Sequence, residues 1–196
     1  MAAVPSTMLP LGTAAPDFTL ASTEGTVVRL ADFKAKALVV MFISNHCPYV
    51  KHLHAGILAF AKDYAGQSLD IVAISSNNPL EYPEDCFEKM IEEKRSIGFP
   101  FPYLFDETQA VAKAYRAACT PDFFLFDAAR KLQYRGQFCD GRRKTDNPVT
   151  GKDLRAAVDA VLSGQPVSSV QKPSIGCNIK WKPGNEPEYF GKPISL

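Results

Sequence analysis

Two stretches of the chain carry apolar residues without a break, LVVMFI at 38–43 and LDIVAIS at 69–75. A strand with one wet face alternates apolar and polar side chains, so continuous runs predict strands covered on both faces, as in a parallel or mixed sheet. From Pro48 the period lengthens: Val50, Leu53, Ile57, Phe60 or Ala61, and Tyr64 share one helical stripe, while Lys51, His52, Lys62 and Asp63 fall elsewhere. The first strand therefore feeds a helix through the segment SNHC. The second is followed by a helical stretch at 86–97 that Gly98 ends, which completes a strand–helix–strand unit.

Shorter patterns surround this unit. DFTL and TVVRL, joined by a turn at Glu24–Gly25, predict an N-terminal hairpin. FPFPYLFD is too rich in proline for a central strand, and Asp106 to Gln109 fits a capping box opening the helix ETQAVAKAYRAA. DFFLFD (122–127) and KLQYRGQF (131–138) read as an antiparallel pair, and GKDLRAAVDAVLSG as a closing helix. Residues 1–15 show no periodicity. Residues 164–196 are rich in Pro and Gly and read as irregular, yet they hold Trp181, Ile175, Ile179, Tyr189 and Phe190. That much apolar surface predicts a tail that wraps over the domain.

Composition narrows the possible functions. The 196 residues are 46% hydrophobic, with 22 Lys and Arg against 21 Asp and Glu, so no basic field exists to attract nucleic acid or an anionic membrane. No apolar stretch reaches the roughly 18 residues of a membrane span, and the N-terminal residues lack a secretory pattern, so the expectation is a soluble, cytoplasmic protein. Five cysteines at irregular spacings do not describe a disulfide framework. No phosphate loop, nucleophile elbow or nucleic-acid motif occurs, and GRRK at 141–144 reads as a solvated basic turn.

The candidate chemistry lies at SNHCPYVKH, residues 44–52. A thiol reacts as its thiolate, which the amide dipoles of a helix N-terminus stabilise. Pro48 suits the first helical position, which makes Cys47 the N-cap. Lys51, four residues on, and His46 or His52 when protonated would add positive charge. A metal site is disfavoured, because His52 and His54 point about 200° apart on a helix and do not converge with His46 and Cys47 on one ion.

The element order, with GTAAPDFTL, TVVRLADF, ALVVMFISNHCPYVKH and TPDFFLFD, resembles the redoxin branch of the thioredoxin-like superfamily, which includes the AhpC/TSA-type peroxiredoxins and thiol-disulfide oxidoreductases. DETQAVAKAYRAACTPDFFLFD and PSIGCNIKWKPGNEPEYF are similar to a peroxiredoxin-like subgroup. The resemblance implies an α/β thioredoxin-like fold at 11–163, with a central mixed sheet flanked by helices, and an irregular tail at 164–196 packed on it. It implies that Cys47 is a nucleophile. The partner cysteine of a Cys-x-x-Cys motif is absent on both sides, since Val50 and Ser44 stand at the two positions. Ser44 matches the hydroxyl that binds peroxide in peroxiredoxins, whereas Val40 replaces the expected proline. The expected arginine falls near Pro121, with Arg116, Arg142 and Arg143 as substitutes left open.

The resemblance further implies a cis bond at Thr120–Pro121, facing the nucleophile and binding substrate. Cys119 and Cys177 are the candidate resolving thiols. The expected activity is reduction of a peroxide or a protein disulfide, with a thioredoxin-like or glutathione-like thiol as reductant and neither cofactor nor metal. The alternative is a non-catalytic thioredoxin-fold binding or redox-regulatory module, kept open because both Cys-x-x-Cys partners are missing.

Overall fold

Each apolar run becomes a strand and each helical stripe a helix in the computed structural model, which describes residues 3–143 and 146–192. In chain order these are β1 (Ala3–Pro5), β2 (Thr19–Ser22), β3 (Val27–Arg29), β4 (Ala37–Phe42), α1 (Pro48–Asp63), β5 (Leu69–Ser75), α2 (Phe87–Ile97), β6 (Tyr103–Phe105), α3 (Ala110–Ala114), β7 (Cys119–Thr120), β8 (Asp122–Phe126), β9 (Leu132–Gly136), α4 (Lys152–Leu162) and β10 (Ile175–Asn178). The main sheet has the order β3-β2-β6-β5-β4-β8-β9. β4 runs parallel to β5 and antiparallel to β8.

β4 is buried along its whole length because both faces of the sheet are covered. Val39, Met41 and Ile43 join a core with Leu53, Ile57 and Phe60 of α1, Met90 of α2 and Leu154 and Val158 of α4. Leu38, Val40 and Phe42 point the other way, toward Val111, Ala112 and Tyr115 and the tail residues Ile179 and Trp181. The predicted hairpin is present as β2–β3, and Gly98 ends α2 in the left-handed region at φ 80°.

Three sequence expectations are corrected. The proline-rich FPFPYLFD does hold an interior strand: β6 sits between β2 and β5. Pro102 stays just outside it and contributes its carbonyl, which accepts from Ala73 N–H at 3.0 Å, so its missing donor costs nothing there. The helix after Asp106 is a single turn and a half, opened by Gln109 at φ 63° rather than by a capping box. Asp106 still accepts from Ala112 N–H at 2.9 Å, but the Gln109 amide donates to the carbonyls of Ser76 and Lys180.

The third correction concerns the termini. The tail packs on the domain through Ile179 and Trp181, but it is not wholly irregular, because Ile175–Asn178 forms β10 between β1 and β7 in a second, three-stranded sheet. Pairing between segments so distant in the chain leaves no periodic mark in strands of two to four residues. Gly176 permits the approach: a Cβ there would lie 2.0 Å from the Thr120 carbonyl oxygen. Residues 193–196 of the tail, and Lys144 of the basic turn, lie outside the described residues.

Candidate functional site

Cys47 stands where β4 ends and α1 begins, with extended backbone (φ −69°, ψ 118°) and Pro48 opening the helix. Its side chain is 0% exposed. The sulfur meets the cis Thr120–Pro121 bond, and the thiol donates to the Thr120 carbonyl at 3.1 Å. Ser44 Oγ lies 3.4 Å from Thr120 Oγ1. Ser44, Cys47, Thr120 and Pro121 are thus brought together by the β4–α1 loop and the β7–β8 junction.

The tail completes the group. In the β10–β7 pair Cys177 lies opposite Thr120, the residue whose carbonyl accepts the Cys47 thiol, so the two cysteines converge on one backbone position. The Cys47 thiol is pushed down to about 5, first by a hydrogen bond from the Cys177 thiol. Burial opposes the shift, and donation by the Thr120 hydroxyl and by the Val50 and Cys177 N–H groups adds to it. The Val50 amide is the free donor of the first helical turn, as helix-terminal stabilisation of an anion requires. Cys177 moves the opposite way, upward, because it donates to Cys47, is buried, and faces the charge that Cys47 carries.

Cys119 is differently placed. Its thiol is directed at the Pro121 carbonyl at 3.5 Å, and burial and the neighbouring Asp122 push it well up. Adjacent residues in a strand project to opposite faces, so Thr120 and Cys119 cannot both face Cys47. Asp122, fully buried, receives the Ser6 hydroxyl at 2.6 Å, and burial raises its carboxyl to about 7. Of the other thiols, Cys86 is the N-cap of α2 and Cys139 is buried beside the α1 end.

The expected electrostatic support is rearranged. Lys51 is exposed and its charge falls on His54 and Glu93. His46 turns away onto Asp85, a buried carboxylate that also accepts from Asn45 N–H at 2.8 Å and the Asn77 amide at 2.7 Å. The His46 ring stacks on Tyr82 with centroids 4.9 Å apart. The buried cation of the tail is Lys180, 6% exposed, whose Nζ donates to the Asn178 carbonyl at 2.6 Å and to Asn178 Oδ1 at 2.8 Å. Tyr82 and Asp85 belong to no motif in the sequence, and Lys180, though within the segment PSIGCNIKWKPGNEPEYF, is brought near them only by the docking of the tail.

The remaining sequence candidates disperse. His52 Nε2 lies 3.2 Å from the Gly141 carbonyl and His54 packs edge-on against Phe99. Among the described residues no group of three His, Cys, Asp or Glu side chains gathers to hold a metal ion, and no helix is long and apolar enough to cross a membrane. Arg116 pairs with Glu188 at 3.0 Å, and Arg142 donates to Gln137 Oε1 and the Pro173 carbonyl. Arg142 and Arg143 also border a cleft with Tyr49, Leu53, Pro121 and Ile175, which opens beside the strand pair that holds Thr120 and Cys177.

A cysteine between a central strand and a helix, facing a cis-proline on a mixed sheet, is the arrangement of the thioredoxin-like fold. Among solved structures, a putative thiol:disulfide interchange protein DsbE from Chlorobium tepidum shares this fold, with a TM-score of 0.65 at 19% identity over 79% of this chain and 99% of its own. The chain belongs to the AhpC/TSA family, whose model matches residues 11–135. It is 28% identical to the thiol-disulfide oxidoreductase ResA of Geobacillus thermodenitrificans over 134 residues, 65% of this chain and 69% of that protein. An uncharacterized conserved protein from Geobacillus kaustophilus is similar along nearly the whole chain: TM-score 0.92 and 55% identity, covering 93% of this chain and 98% of that one.

Proposed function

We propose that the protein is a thiol–disulfide oxidoreductase whose redox couple is Cys47 and Cys177. The observation that carries this reading is the pairing of Cys177 with Thr120 in the β10–β7 ladder, at the residue whose carbonyl accepts the Cys47 thiol at 3.1 Å. The dithiol that SNHCPYV lacks as a local motif is completed in space by the tail. Kinship to a protein named as a thiol-disulfide oxidoreductase supports the same class.

In the reducing direction the Cys47 thiolate attacks a substrate disulfide. A Cys47–substrate bond forms and the first substrate sulfur leaves as a thiolate. Cys177 then gives its proton to that departing sulfur and attacks Cys47, so the Cys47–Cys177 disulfide forms and the second substrate sulfur leaves, taking a solvent proton. The substrate gains two electrons and the pair loses two. A thioredoxin-like or glutathione-like thiol, as a cytoplasmic setting would supply, restores the dithiol.

A second reading, in which a peroxide oxidises Cys47 to a sulfenic acid that Cys177 condenses to the disulfide with loss of water, is favoured by the Ser44 hydroxyl beside Thr120. Of the three candidate arginines, Arg116 is engaged with Glu188, whereas Arg142, bonded to Gln137, and Arg143 border the cleft that Pro121 lines.

Steady-state turnover of hydroxyethyl disulfide and of hydrogen peroxide, each with a dithiol reductant, tests these readings in the wild type, Cys47→Ser and Cys177→Ser. The expected outcome is disulfide turnover abolished by Cys47→Ser, and a mixed disulfide trapped on Cys47 in Cys177→Ser. Peroxide turnover alone would select the second reading. Absence of turnover with either oxidant would leave the non-catalytic module.

A further inference from the structure

An extended polypeptide reaches a sheet by adding a strand to an open edge, where its main chain finds donors and acceptors. The edge nearest the nucleophile is that of β7, because the Thr120 carbonyl accepts the Cys47 thiol at 3.1 Å. This edge is already filled. β10 pairs with it antiparallel, Cys177 opposite Thr120 and Asn178 opposite Cys119, and Ile179 N–H extends the ladder to the Ala118 carbonyl at 3.0 Å. β1 takes the other edge of β10, with Ala3 opposite Cys177. The tail thus lays its own cysteine where a bound polypeptide would lay one, and Cys47 is 0% exposed.

The strand is fastened on both sides of Cys177. Before it, Ser6 N–H donates to the Ser174 carbonyl and Ser174 N–H to Ser6 Oγ, both at 3.0 Å, and the Ser174 hydroxyl donates to the Gly136 carbonyl at 2.6 Å. After it, Lys180 N–H donates to Asn77 Oδ1 at 2.8 Å, and Ile179 and Trp181 are buried in the core. Gly176 brings β10 so close to Thr120 that even a Cβ would lie 2.0 Å from the carbonyl oxygen. The opening beside this strand pair is the cleft lined by Tyr49, Pro121, Arg142, Arg143 and Ile175. Ile175 lies two residues before Cys177 and so projects to the same face of β10, and Tyr49 lies two residues after Cys47 in the first turn of α1. We infer that the docked tail closes the site to extended polypeptides and leaves the sulfurs to low-molecular-mass disulfides and thiols that enter by this cleft. The inference rests on the Cys47–Cys177 couple proposed above, and the exchange steps are those given there. It selects between the reductants expected from the sequence: a glutathione-like small thiol can use the cleft, whereas a thioredoxin-like protein would first have to displace β10.

The test compares two oxidants with the same leaving group, the 2-thiopyridyl disulfides of mercaptoethanol and of a capped octapeptide with a central cysteine. Thiopyridone release is followed by absorbance with the Cys47→Ser background subtracted, and each rate is divided by that of free glutathione with the same oxidant. The mercaptoethanol compound is expected to react about tenfold or more faster on this scale, because the peptide must wait for β10 to open. In Gly176→Ala, which pushes β10 off Thr120, the ratio is expected to approach one while Trp181, the single tryptophan, shifts its emission to longer wavelength. Equal normalised rates in the wild type overturn the inference, and so does an undiminished ratio in Gly176→Ala with the shifted emission. Mass spectrometry on the wild type treated with the mercaptoethanol compound separates the two levels. Without a Cys47–Cys177 disulfide the couple itself fails, whereas a disulfide that forms as fast with the peptide removes only the restriction on substrate.

Discussion

Removing the Cys177 thiol provides the sharpest test of the site's electrostatics. Cys47 is lowered from 9.0 to about 5 in the folded protein, a difference worth about 5 kcal/mol between its two protonation states. Hydrogen bonding from Cys177 is the largest cause. A hydrogen bond to a charged group is worth roughly 1.5–3 kcal/mol, or about one to two pKa units. Cys177→Ala, which deletes the donor, is therefore expected to bring the Cys47 thiol to about 6–7, while Cys177→Ser keeps an O–H donor and stays close to wild type. Thiolate absorbance across pH 3–10, with the Cys47→Ser background subtracted, measures both. The sign extends to stability. A depressed acid contributes stability that is full above its unfolded value near 9 and is lost as pH falls through about 5, and Cys47→Ser is expected to abolish that dependence. A Cys47 pKa in Cys177→Ala equal to that of wild type would refute the reasoning, because the thiol pair would then not be coupled.

Three other outcomes are expected. Asp122, raised to about 7 by burial, contributes stability at low pH that is lost as pH rises through about 7, so Asp122→Asn should stabilise the protein at pH 8 by up to about 4 kcal/mol and little at pH 4, measured by urea unfolding at both. Gly176→Ala sets a Cβ 2.0 Å from the Thr120 oxygen; it should cost about 2 kcal/mol or more in unfolding and expose Cys47 to alkylation as β10 moves off β7. Cys119→Ala should leave the oxidised product a Cys47–Cys177 disulfide in peptide mapping, because the Cys119 thiol faces the Pro121 carbonyl.

Much of the fold was legible from periodicity because the forces that set it are local or face-wide. The stripe Val50, Leu53, Ile57, Phe60 and Tyr64 is buried along α1, and the unbroken run of β4 is buried on both faces. Misreadings arose where a special local device replaced the pattern. Pro102 sits one residue outside β6 and still serves the ladder through its carbonyl, and Gln109 is turned into the left-handed region to reach Ser76 and Lys180.

The sequence by itself determined that Cys47 caps a helix behind a buried strand, since a thiol, a following proline and a change of period are written within a few adjacent residues. Tertiary structure alone decided which groups surround that sulfur. Cys177 reaches it because β10 is held between β1 and β7 and Gly176 admits close contact with Thr120. Cys119 does not, because it is one residue out of phase with Thr120 along β7. Lys180 is buried by the same docking of the tail, through its N–H bond to Asn77 Oδ1, which no local pattern announces.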